Sequence, residues 1–291
     1  MVQGSPGQVL MHRAAVLGKP IEHSLSPVLH HAAYNALGLT DWEYTRHQVD
    51  AHGLEGFVAG LDHTWRGLSL TMPLKEQALL MASSASSVAL RTGSVNTLVR
   101  STDGWFGDNT DVHGIRQSLA DAGLGIDLPG GEAVVIGSGA TARSVLAALA
   151  TFGVRRVTFL VRSRARESTL AQARDHGMTT AVRRMPDGAS SCAHAALVVS
   201  TVPAAAADGL AAAIQDEKSD SERITRPIWL DVVYAGWPTM LARVGAARGA
   251  VLVPGIEMLI HQAAQQVRLM TGLEPPLAAM QAAGRAAVSS L

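Results

Sequence analysis

The chain has 291 residues, room for two domains of ordinary size, with 47% of them hydrophobic and 16% charged. Its 24 basic residues equal its 24 acidic ones, for a formal net charge of +0, which argues against nucleic acid and acidic membranes as general partners. A single cysteine, Cys192, excludes an intrachain disulfide framework and fits a reducing cytosol, and no strongly apolar run approaches the ~18 residues of a membrane span.

In chain order, Met1 to Arg13 lack a basic leader and a long apolar core, and are expected to be a loose tail rather than a signal peptide. Ala14 to Gly18 is a short apolar strand. It is followed by KPIEHSLSP and a helix from Val28 to Leu37, with Ser26 as the natural N-cap and Pro27 as the first helical residue. Ser24 and Ser26 then stand beside exposed helix N–H groups, where a small carboxylate can dock. Capping alone accounts for Ser26 but not for His23-Ser24. Trp42 to Val49 predicts a strand, Ala51 to Leu61 a polar-faced helix, and Gly67 to Thr71 another strand. Pro73 restarts the chain as a helix with Lys75 in its first turn, where the helix dipole disfavours a cation. Such a lysine is either a surface residue balanced by Glu76 or a side chain with a task. Gly93 to Arg100 is a turn entering a strand, Asp103-Gly104 marks a hairpin, and Asn109-Thr110-Asp111 opens a helix running to about Asp121. Thr110 or Asp111 can serve as its cap. Asn96, Asn109 and Asp111 also gather just before the nucleotide-binding signature, where a substrate crevice would lie.

Leu124 to Gly131 is a glycine- and proline-containing connector, and the stretch from Glu132 to Ser163 reads as one βαβ unit. Ala133 to Ile136 forms a buried strand, Gly137-Ser138-Gly139 a tight turn, Thr141 to Phe152 a helix, and Val157 to Val161 the second strand. The G-x-G-x-x-A spacing has a mechanical reading. Gly137 permits the turn, Gly139 lets the backbone approach a pyrophosphate, and Ala142 allows close helix–strand packing. Glycines alone also serve ordinary turns; the flanking strands and helix favour a dinucleotide. Val161 is followed by Arg162-Ser163-Arg164-Ala165-Arg166, with no acid to hold ribose hydroxyls. Planar guanidinium groups suit a 2'-phosphate, so NADP is expected over NAD.

Leu170 to His176 predicts a helix, Thr179 to Arg183 a strand, and Ala196 to Ser200 a strand ending at Thr201-Val202-Pro203, where loops of doubly wound sheets meet ligand. Gln215 to Arg226 is a polar surface loop. Ile228 to Val233 and Ala250 to Val253 predict strands around a Thr239 to Arg248 helix; Gly255 to Met270 and Leu273 to Leu291 predict the closing helices. Cys192 reads as a small, partly buried residue.

The motifs GKPIEHSLSP, SLTMPLKE, GSVNTL, DNTDVHG, GSGATAR, LDVVY and PGIEMLIHQAA, in this order over almost the full chain, resemble the shikimate dehydrogenase family. The resemblance implies a two-domain α/β protein: residues 1–112 and 255–291 form a substrate-binding domain, and a Rossmann-like NADP-binding domain of residues 113–254 is inserted between them. It implies NADPH-dependent, reversible reduction of 3-dehydroshikimate to shikimate, in the cytoplasm, by a monomer or homodimer without a metal. Lys75 and Asp111 would be the catalytic pair. Ser24 and Ser26 would hold the substrate carboxylate. Ser69, Thr71, Asn96, Asp111, Tyr234 and Gln262 would line or bind the ring. Gly137, Ser138, Gly139, Ala140, Thr141 and Ala142 would meet the cofactor's pyrophosphate. Arg162, with Ser163 and Arg164 or Arg166, would read the adenosine phosphate, and Thr201, Val202, Gly255 and Met258 would lie near the nicotinamide. The chain departs from the family pattern at Ser69, where asparagine is common and the shorter serine is expected to give a weaker or water-mediated substrate contact, at Val161-Arg162-Ser163, where Asn-Arg-Thr is common, and at Gly236, where proline often stands. The rival readings are an NAD-dependent quinate/shikimate dehydrogenase and a catalytically silent dinucleotide-binding regulator.

Overall fold

The computed structural model describes residues 11–125, 132–217 and 226–290. The opening tail, the 124–131 connector and the polar 215–226 stretch therefore fall largely outside the described residues.

The first part of the chain runs β1 (His12–Gly18), α1 (Ser26–Leu37), β2 (Trp42–Gln48), α2 (Leu54–Ala59), β3 (Trp65–Leu70), α3 (Lys75–Met81), β4 (Ser84–Ala85), α4 (Ser87–Thr92), β5 (Thr97–Ser101), β6 (Gly104–Asp108) and α5 (Asp111–Asp121). Its strands form a sheet of order β2-β1-β3-β5-β6-β4. β1 pairs in parallel with β2 and β3, whereas β5 is antiparallel to β3 and β6, with Ser101 opposite Gly104 in the expected hairpin.

The second sheet is wholly parallel. It is built from β7 (Glu132–Ile136), α6 (Ala140–Ala150), β8 (Arg156–Val161), α7 (Glu167–Asp175), β9 (Thr179–Arg184), α8 (Ala189–His194), β10 (Leu197–Ser200), α9 (Ala204–Gln215), β11 (Ile228–Asp231), α10 (Met240–Ala247) and β12 (Val251–Pro254). The order β12-β11-β10-β7-β8-β9 is that of a doubly wound nucleotide fold, whose topological switch point lies between β7 and β10. β7 shows why its residues are apolar without alternation. Ala133 and Val135 enter one core cluster and Val134 and Ile136 the other, so both faces are covered by helices. Each fully buried valine or isoleucine there contributes about 1.5–3 kcal/mol.

The chain then closes with α11 (Gly255–Thr271) and α12 (Leu277–Val288), and α11 returns to the first sheet. Its residues Ile256, Ile260, Ala263 and Val267 pack with Leu25, Leu29 and Ala33 of the α1 region. Gly114 permits the crossing of α5 and α11, because a Cβ there would lie 2.6 Å from the Met258 carbonyl oxygen and 3.0 Å from Gln262 Cβ.

Local expectations changed in four ways. Ser26 is not the N-cap of α1: Leu25 occupies that position, and Ser26 is the first helical residue, with its own amide donating to Ser24 Oγ at 3.3 Å. Thr110 stands at the cap of α5 but makes no capping bond, because its hydroxyl is engaged by Asn96 and Gln262. α2 is shorter than the Ala51 to Leu61 expectation; Asp50 Oδ1 accepts the Gly53 amide at 3.1 Å and holds the preceding residues in a turn. The short helices α4 and α8 were not expected, being too brief to show a 3.6-residue pattern.

Candidate active site

A cleft of about 300 Å³ opens where the C-terminal ends of β1 and β3 face the beginning of α11. All of the residues expected to touch a substrate line it: Ser24, Ser26, Ser69, Thr71, Lys75, Asn96, Asp111, Tyr234 and Gln262. Thr141, Gly255 and Met258 reach the same cleft from the nucleotide side.

At its floor, Lys75 Nζ donates to Asp111 Oδ2, with the lysine side chain 14% exposed and the aspartate 6%. Different elements supply the partners. Lys75 begins α3 and Asp111 begins α5, and the loop between β3 and α3 sets the lysine facing the second helix. Asn96 Nδ2 donates to the other carboxylate oxygen of Asp111 at 2.8 Å and approaches Thr110 Oγ1 at 3.0 Å and Gln262 Oε1 at 3.3 Å. Asn96 Oδ1 accepts the Thr110 amide at 2.8 Å. The carboxylate is thus oriented from both sides, one oxygen toward the lysine and one toward the asparagine.

Ser69 is held below this floor. Tyr44 donates to its hydroxyl at 2.6 Å, and Ser69 in turn donates to Gln266 Oε1 at 2.9 Å. Gln266 Nε2 donates to Thr97 Oγ1 at 2.9 Å. The short serine reaches partners because a tyrosine rises beneath it. The sequence reading missed both Tyr44 and Gln266. Gln266 carried a signal, lying one helical turn after Gln262 on the same face of α11; Tyr44 carried none, since its strand neighbours give no hint of what it meets across the sheet. Asn109, expected near the crevice, is turned away: its side-chain amide lies 2.9 Å from Thr92 Oγ1, 2.9 Å from Ser94 Oγ and 3.0 Å from Ser144 Oγ.

Behind the serines, His30 Nδ1–H donates to the Ser26 carbonyl oxygen at 2.9 Å, and its ring stacks on Tyr44 with centroids 3.8 Å apart. Burial pushes the His30 pKa down to about 3. The folded chain keeps the ring neutral while the unfolded chain protonates below its ordinary value of 6.5, so stability falls as pH drops from 6.5 toward 3. This group alone should cost about 2 kcal/mol between pH 7 and pH 5. Denaturant unfolding of His30→Phe, which keeps an aromatic ring on Tyr44, should show an acid-side decline smaller by that amount; equal declines would assign the linkage elsewhere.

At the switch point Gly137 has φ +103°, and a Cβ there would lie 2.5 Å from Thr201 Oγ1. Gly139 is extended and open: a Cβ on it would meet nothing within 4 Å. Thr201 donates its hydroxyl to the Ile136 carbonyl at 2.8 Å, so its side chain braces the turn. Ser138 Oγ accepts the Arg166 amide at 3.2 Å, which folds the arginine segment against the turn. Arg162, Ser163 and Arg164 are exposed at the end of β8, and no carboxylate among the described residues pairs with Arg162 or Arg164. Ala142 is fully buried in the core, where its small side chain serves the helix–strand packing. A glycine-lined approach to the first amides of α6 with free guanidinium groups nearby fits a phosphorylated dinucleotide. Val202 flanks this turn beside Gly137.

Cys192 is buried and its thiol is pushed up to about 12 by that burial, which leaves it without nucleophilic character. No group of metal-ligating side chains is found among the described residues, and no helix among them is long and apolar enough to cross a membrane.

Comparison with known proteins gives consistent matches. Residues 16–98 match the family model described as the shikimate dehydrogenase substrate binding domain, and residues 255–283 match that of the shikimate 5'-dehydrogenase C-terminal domain. A shikimate dehydrogenase (NADP(+)) of Synechocystis is 31% identical over 92% of this chain and 93% of its own length. The crystal structure of Mycobacterium tuberculosis shikimate dehydrogenase is 37% identical with a TM-score of 0.81, covering 94% of this chain and 99% of that one. The Thermus thermophilus shikimate 5-dehydrogenase in complex with NADP(H) and shikimate is 31% identical with a TM-score of 0.77, covering 95% and 100% respectively.

Proposed function

The chain belongs to the shikimate dehydrogenase family, and we propose that it uses this cleft for NADP-dependent interconversion of 3-dehydroshikimate and shikimate, a step toward aromatic amino acids. The observation that carries the assignment is the Lys75–Asp111 pair at the floor of a cleft bordered by Thr141, Gly255 and Met258. On this reading residues 1–112 and 255–291 serve the substrate and residues 113–254 the cofactor.

Ser24 and Ser26 receive the substrate carboxylate through their hydroxyls at the start of α1, where the helix dipole favours an anion. Thr71, Asn96, Asp111 and Gln262 orient the ring hydroxyls, Tyr234 closes one wall, and Ser69 supports it through Tyr44 and Gln266. The Gly137–Thr141 turn holds the pyrophosphate, with Arg162 and Arg164 positioned for the 2'-phosphate. When bound, NADPH supplies the hydride for the ring ketone. Lys75 stabilises the negative charge that develops on the ketone oxygen and delivers a proton to it; in the oxidation direction it receives the hydroxyl proton. Asp111 holds the ammonium in place beside the substrate hydroxyl. The single cysteine, buried and without a disulfide, supports a reducing, cytoplasmic setting.

The test is the absorbance of the reduced nicotinamide with purified protein, offering shikimate or quinate with NADP or NAD. Fast reduction of NADP by shikimate, slower by at least about tenfold in every other pairing, is expected. Quinate or NAD as the better partner would overturn the specificity, and silence in all pairings despite ligand binding would favour a catalytically silent regulator.

A further inference from the structure

Glu76 stands one residue after Lys75 in the first turn of α3, yet its carboxylate faces the nucleotide-binding unit. Oε1 accepts from Arg143 Nη2 at 2.7 Å and lies 3.5 Å from Arg166 Nη1. The two guanidinium groups are held very differently. Arg143, on α6, is 4% exposed and also donates to the Thr92 carbonyl at 2.6 Å, the Gly93 carbonyl at 3.2 Å and Ser168 Oγ at 3.3 Å. It is locked. Arg166 is 59% exposed, and among the described residues its guanidinium has this one long contact to Glu76, although its amide is tied to Ser138 in the glycine turn. It is free to swing.

We propose that Glu76 is a positioning and cofactor-selectivity residue, a carboxylate on the Lys75 helix that holds Arg166 until the 2'-phosphate of NADP takes that guanidinium, while Arg143 keeps its grip on Glu76. This rests on the NADP reading above. The competition is unequal in the right direction. An exposed Glu–Arg pair is weak and screened in water, whereas a phosphate dianion offers more charge and several acceptors in the geometry a guanidinium fork prefers. Glu76 therefore subtracts from phosphate affinity and makes no difference to a cofactor without the phosphate. Its second bond, to the locked Arg143, ties the peptide carrying Lys75 to the helix that follows the glycine turn.

Calorimetric titration of NADP and NAD, with no substrate present, tests the coupling apart from turnover. Glu76→Gln should tighten NADP about 2- to 5-fold and leave NAD unchanged. Arg166→Gln should weaken NADP about tenfold, again sparing NAD, and adding Glu76→Gln to it should then change nothing. Steady-state kinetics should place the remaining effect of Glu76→Gln on kcat, lowered about 3- to 10-fold with the KM for shikimate kept, and Glu76→Asp should recover part of it. Unchanged NADP affinity in Glu76→Gln, an equal shift for both cofactors, or persistence of the gain without Arg166 would each overturn the proposal. Wild-type protein that binds NADP and NAD equally would overturn the NADP reading itself, and the proposal with it.

Discussion

Replacing Lys75 by alanine is expected to lower kcat by about 10²- to 10⁴-fold while the KM for shikimate moves by less than about tenfold. The reason is the division of labour in the cleft. Lys75 meets Asp111 at the floor, while the serines at the start of α1 and the hydroxyl-bonding groups around Asn96 are independent anchors for the substrate. Removing the ammonium takes away the proton donor and the charge opposite the developing alkoxide, both of which matter chiefly in the transition state. It leaves the ground-state anchors in place. It also leaves Asp111 with Asn96 but without its counter-charge, so Lys75→Ala combined with Asp111→Asn should cost far less than the product of the separate losses. Saturation kinetics of the single and double variants would decide. A variant that turns over at the parental rate would remove Lys75 from the chemistry, and one that loses affinity alone would make it an anchor.

Gly137→Ala is expected to weaken NADP binding by about 10- to 100-fold and to destabilise the chain by about 1–3 kcal/mol. Two constraints coincide at this position. The residue has φ +103°, a conformation that side chains rarely adopt, and its Cβ would sit 2.5 Å from Thr201 Oγ1 and 3.0 Å from Val202 Cγ1. Thr201 cannot turn aside without giving up its bond to the Ile136 carbonyl. The turn must therefore move, and with it the first amides of α6 that face the phosphates, each charge-assisted bond being worth about 1.5–3 kcal/mol. Isothermal titration with NADP, alongside denaturant unfolding, separates the two effects. Gly139→Ala is the informative contrast. Its Cβ enters open space, so folding should be spared even where cofactor approach is obstructed. Equal NADP affinity in Gly137→Ala and the parent would show that the phosphate does not lie against this turn.

Two of the departures from the family pattern fared differently once packing was visible. Ser69 was expected to weaken a contact by its short reach, yet it sits in a closed relay from Tyr44 to Gln266, and its hydroxyl is used below the cleft floor. Gly236 has φ +68°, a backbone conformation closed to proline, whose φ is near −65°, so the turn after Tyr234 has its own geometry here.

What the sequence by itself determined is whatever depends on neighbours along the chain. The apolar run of β7, the glycine spacing after it, the missing acid after Val161 and the lysine misplaced in the first turn of α3 are local patterns, and each predicted an element or a chemistry without any knowledge of packing. The tertiary structure alone decided which side chains meet across long separations. Lys75 with Asp111, Asn96 with Gln262, Ser69 with Gln266, and Glu76 with both Arg143 and Arg166 are pairs from different elements. It also moved Ser26 off its cap and Asn109 out of the cleft, because an intrinsic preference for a cap or a turn is worth about 1 kcal/mol and yields to a buried polar group that finds several partners. Periodicity records which face of an element is buried; only the crossing of those faces, set at Gly114 by the room for backbone to approach backbone, brings the reacting groups together.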